Sequence, residues 1–106
     1  MLASGVAGCH REPTAVEGAT ELKRAFPDGG SSDATRLGVA AMQSNDFAAG
    51  VIALQAAKNA PGLTAEQLTA IEQASQSVTA DLTRRADAGD ANAKAQLEAI
   101  ERSRSQ

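Results

Sequence analysis

Apolar residues recur along this chain every three or four positions, and no stretch alternates polar and apolar side chains as a half-buried strand would. That periodicity restricts the fold to helices. The apolar positions are also unusually small, because alanine supplies 24 of the 106 residues while Leu, Ile, Val and Phe together supply 18. Alanine is the best helix former and buries little surface per residue. The expected class is therefore all-α, a small, lightly packed helical protein. Only 22% of residues are charged and the formal net charge is −3, so the chain lacks the high charge that accompanies disorder in sequences poor in large apolar residues.

The same composition excludes several functions. Trp and Tyr are absent and Phe occurs twice, which leaves no platform for stacking bases or sugars. A sequence pI near 5.0 argues against nucleic acid as a partner. One Cys and one His provide neither an internal disulfide nor a structural zinc cage, so no metal site is expected. A Ser–His pair would have to use His10, which stands in a polar segment with no fixed carboxylate beside it. Asp87 with Asp90 and Glu98 with Glu101 read as solvated carboxylates, since a general acid needs burial to raise its pKa. Arg84, Arg85, Arg102 and Arg104 suggest a basic edge, but residues 79–106 hold five basic and five acidic side chains and are neutral overall. Gly29-Gly30-Ser31-Ser32 lacks the frame of a phosphate loop and reads as linker. No catalytic residue and no cofactor are expected.

The single cysteine ends the run Val6-Ala7-Gly8-Cys9, an aliphatic residue and two small ones before a thiol. This resembles the bacterial lipobox. The small residues let a signal peptidase approach the bond, and the thiol takes a diacylglyceryl group that holds the new N-terminus in a bilayer. Eight residues precede Cys9 and none is Lys or Arg, short of the charged start and roughly 7–15 apolar residues of a secretory signal. Residues 1–8 thus read as the remnant of a signal peptide, and Cys9 as the lipidation site. The alternative is an ordinary N-terminus with an incidental Cys. His10, not Asp, follows the cysteine, which under enterobacterial-type sorting favours the outer membrane, facing the periplasm.

Residues 9–32 read as a flexible tether punctuated by Pro13, Gly18, Pro27, Gly29 and Gly30, with a possible short helix from Val16 to Phe26. A helical domain over 33–103 and a frayed tail at 104–106 follow. Ser32 or Asp33 caps the first firm helix, in which Leu37, Ala40, Ala41 and Ser44 line the inward face with Met42 beside it. Ser44-Asn45-Asp46 breaks that helix and caps the next, whose stripe is Phe47, Gly50, Val51, Leu54 and Ala57. Phe47 is expected to be buried against Leu37, Val51 and a residue of the third helix. Thr64 with Gln67 forms a capping box for the third helix, spanned by a staple between Leu63 and Leu68. Leu68, Ile71, Ser75, Val78 and Leu82 make its seam, and Gly89 closes it. Asp90 caps a fourth helix with Ala93, Leu97 and Ile100 inward. Short loops make these neighbours antiparallel, an array of about four helices. Val39 and Ile52 fall off the main stripes, and this free strip is the expected partner-binding surface.

Ala34 to Pro61 resembles one degenerate tetratricopeptide repeat, a helix–turn–helix unit. Leu37-Gly38 stands at its Leu-Gly pair, Asn45-Asp46-Phe47 at its turn, and Gly50 and Ala57 at its two small positions. More broadly, residues 20–102 resemble a group of small Ala-rich bacterial lipoproteins. The likeness rests on Leu22 to Phe26, Pro61 to Gln67, and Gly89-Asp90-Ala91 through Ala93-Lys94-Ala95 to Leu97-Glu98-Ala99. It implies no catalytic residues. The expected function is a lipid-anchored helical interaction or scaffolding module of a bacterial envelope, bound to the membrane through its lipid and to a protein partner or a second copy. The alternative is a soluble, non-lipidated structural or regulatory protein acting as a homo-oligomer.

Overall fold

A computed structural model describes residues 14–30 and 32–105. Cys9 and His10 lie outside the described residues. Among the described residues there are five helices and no strand: α1 (Ala15–Ala25), α2 (Asp33–Gln43), α3 (Phe47–Ala57), α4 (Ala65–Asp87) and α5 (Ala91–Arg104). The all-helical class agrees with the apolar spacing. The helix beyond the expected four comes from the segment read as a tether.

Residues 15–26 of that segment pack into the helical core. Thr14 accepts from the Glu17 N–H while the Glu17 carboxylate accepts from the Thr14 N–H, a capping box that starts α1. Ala15, Ala19, Leu22 and Phe26 are all buried, at i, i+4, i+7 and i+11. Two large side chains in eleven positions give a faint linear pattern, but α4 offers them a complementary face. A Cβ added to Gly18 would stand 3.2 Å from Ser77 Cβ and 3.3 Å from the Ala74 carbonyl oxygen, so the glycine sets how closely α1 lies on α4. The glycine that looked like linker punctuation is a helix–helix contact.

The two helices run antiparallel, and α4 supplies a cap to each end of α1. Asp81 accepts from the Ala15 N–H at 2.6 Å, and the Gln67 side-chain amide donates to the Ala25 carbonyl at 3.3 Å. Both polarities suit the helix dipole, with an acceptor carboxylate at the N-terminus and a donor at the C-terminus. Gln67 uses its other amide atom in the capping box of α4, where its Oε1 accepts from the Thr64 N–H at 3.1 Å. α2 is antiparallel to α1 as well, with Gln43 donating from its side chain to the Ala19 carbonyl at 3.0 Å.

α2 and α3 form a tight hairpin. Asn45 takes φ +64 in the turn, a left-handed conformation that Asn tolerates better than most residues. Asp46 occupies the N-cap position of α3 but makes no side-chain capping bond. Gln96 of α5 serves instead, its Oε1 accepting from the Ala48 N–H at 3.2 Å. The expected stripe of α3 is buried throughout, and Phe47 is 4% exposed. On α4, Ile71, Ser75, Val78 and Leu82 are buried as the seam requires, whereas Leu68 is 36% exposed and sits at its edge. Asp90 caps α5 through the N–H groups of Asn92 and Ala93, and Gly89 takes φ +101 at the preceding helix end. Ala93 and Ile100 face inward, with Leu97 partly buried against the core.

Candidate interaction surface

The α2–α3 hairpin is held by two glycines. A Cβ on Gly38 would lie 2.7 Å from Leu54 Cδ2 and 3.3 Å from the Leu54 backbone nitrogen. A Cβ on Gly50 would lie 2.7 Å from both Cγ and Sδ of Met42. Side chains of each helix therefore fill space that a larger residue on the other would occupy. This contact fixes which face of α2 turns inward.

The inward face differs from the one its apolar spacing suggests. Thr35, Gly38, Val39 and Met42 are buried, whereas Leu37 is 64% exposed and Ala40 and Ser44 are exposed. Both sets satisfy helical spacing, so periodicity alone does not choose between them. Gly38 decides, because it admits Leu54. Thr35 can be buried because its hydroxyl lies 2.8 Å from that of Ser32, which also accepts from the Thr35 N–H. Val39, read as part of a free strip, is 6% exposed and belongs to the core. Leu37, read as core beneath Phe47, is one of the most exposed large apolar residues among those described.

Ile52 does reach the surface. α3 contains no charged residue and a single polar one, Gln55. Its inward stripe consumes only part of this apolar circumference. Ala49 and Ala56 remain exposed, and Ile52 and Ala53 half-buried. These four positions stand at i, i+3, i+4 and i+7, one continuous face. A helix that is apolar all round is ordinarily covered all round, and here one side is not. The alanines keep that side shallow.

The ionisable groups offer less. Asp87, Asp90, Glu98 and Glu101 are exposed, and no group of three or more metal-binding side chains exists among the described residues. Asp81 is the carboxylate that sequence reading overlooked. It is 5% exposed, lies 3.1 Å from Arg85 and 3.4 Å from Arg84, and so draws two arginines of the expected basic edge into an ion-pair cluster. Its partners are structural, since the remaining bond goes to the α1 backbone. The one local sign of it is acid and base at i, i+3 and i+4 on a single helix.

Open polar grooves run beside this framework. One lies between Glu17, Gly18 and Glu21 of α1 and Gln73, Ala74 and Ser77 of α4. Another is lined by Gln55, Lys58, Glu72, Ser75, Thr79 and Arg104, where Lys58 and Glu72 form an ion pair at 2.5 Å.

No protein-family model, no curated protein and no solved structure matches this chain.

Proposed function

We propose that this protein is a lipid-anchored helical interaction module on the periplasmic side of a bacterial envelope, without catalytic activity of its own. The observation that carries the interaction half is the uncovered apolar side of α3, formed by Ala49, Ile52, Ala53 and Ala56 on a helix with no charge. A shallow, uncharged helical face suits one occupant best, an apolar helix of a protein partner laid along it and centred on half-buried Ile52. The anchoring half rests on Val6-Ala7-Gly8-Cys9 and its likeness to a lipobox. The tetratricopeptide-like spacing of Ala34 to Pro61 supports the same reading, since such hairpins bury their faces against neighbours.

A second reading has its own observation. The stripe Ala49, Ile52, Ala53, Ala56 has the same spacing read from either end, so two copies could pack α3 against α3 about a two-fold axis. In that case the protein acts as a homo-oligomer, with or without lipid.

Detergent extracts of cells making the full chain behind a complete signal separate these readings. Under the leading reading the wild type elutes in a complex with a different protein. Ala53→Glu elutes as a monomer yet stays in the membrane fraction, and Cys9→Ala leaves the membrane but keeps its partner. A wild type that elutes as a monomer removes the interaction reading. A complex whose mass is twice the chain replaces the partner with a second copy.

A further inference from the structure

No further inference is drawn: the strongest candidate, the groove where Gln55 of α3, Lys58 just past its end, Ser75 and Thr79 of α4 and Arg104 of α5 meet, carries nothing, because the two hydroxyls of Ser75 and Thr79 lie sealed from solvent rather than open to the groove, Lys58 is already paired with Glu72, and nothing in the structure shows what would fill it.

Discussion

The Ala15 N–H donates to Asp81 Oδ2 at 2.6 Å across 66 positions of sequence. This bond ties the first turn of α1 to the C-terminal half of α4, and it uses a carboxylate that two arginines already hold in place. Asp81→Ala removes the acceptor and leaves the Ala15 N–H unpaired at a buried site, beside a Thr14–Glu17 capping box that stays intact. A hydrogen bond to a charged group contributes about 1.5–3 kcal/mol, and the variant should lose that much in urea unfolding. Asp81→Asn keeps an oxygen in place and should lose less. Hydrogen exchange should show the loss of protection concentrated in residues 15–26. A loss spread evenly over α2 to α5 would mean that Asp81 does not act through α1.

Gln67 has two partners that make opposite demands. Its Oε1 completes the capping box of α4, a role Glu fills equally well, while its Nε2 donates to the Ala25 carbonyl. Gln67→Glu preserves the first and destroys the second, and it adds a negative charge at the negative end of α1. The variant should be destabilised by about 1 kcal/mol, although α4 alone would tolerate it. A more stable variant would show that the contact with Ala25 is unimportant.

The two hairpin glycines should respond differently to alanine. At Gly38 the new methyl meets both the Leu54 side chain and its backbone nitrogen, so the helices must separate. Overpacking of that kind costs about 1–3 kcal/mol. At Gly50 it meets Cγ and Sδ of Met42, an unbranched side chain that repacks more readily than Leu54, and reaches only ordinary contact, 3.4 Å, with the Gly38 carbonyl oxygen, so the gain in helix propensity of about 0.5–1 kcal/mol offsets much of the strain. Thermal melts of Gly38→Ala and Gly50→Ala should therefore rank the first well below the second. The reverse order would contradict the packing described for α2 and α3.

Phe47 is one of two aromatic residues in the chain and is 4% exposed at the start of α3. Phe47→Ala should cost about 3–5 kcal/mol. Leu37→Ala should cost under about 0.5 kcal/mol, because Leu37 stands in solvent. Equal losses at the two positions would put Leu37 back in the core.

The parts of the fold legible in the sequence are those set by nearby residues. The Thr64–Gln67 box, the Asp90 cap, Gly89 and the buried stripe of α3 each depend on spacings of a few positions. What escaped is fixed by distant partners. The possible helix from Val16 to Phe26 is present as α1, but its place in the core escaped the tether reading, because α4 holds it through Gly18, Asp81 and Gln67. Asp46 reads as the cap of α3, but Gln96 from α5 reaches the Ala48 N–H. The inward face of α2 was ambiguous because two stripes share its spacing, and only the fit of Leu54 over Gly38 separates them. The candidate surface was half legible for the same reason. Ile52 lies where the stripe leaves it, whereas Val39 and Leu37 exchanged roles with the rotation of α2.

The short distance from Cys9 to Thr14 bears on how the proposed anchor holds the domain. Five residue steps of extended chain reach about 17 Å. A lipid on Cys9 would therefore keep the start of α1 near the bilayer, in place of the long leash that a 9–32 tether implies. With Cys9 coupled to a maleimide lipid on nanodiscs, a fluorophore at position 87 should be quenched by headgroup-level quenchers more than one at position 62. Asp87 ends α4 beyond Asp81, the residue that holds the start of α1, while Gly62 lies in the loop before the opposite end of α4. Equal quenching would contradict the short attachment.

A photo-crosslinker walked through positions 47 to 57 of the full chain, in cells, reads out whether α3 presents a binding face. Adducts to one partner protein are expected from positions 49, 52, 53 and 56, none from 50, 51, 54 and 57, and the position-52 adduct should be lost when Ala53 is changed to Glu. Adducts with no helical period, or none from positions 49 to 56, would contradict it.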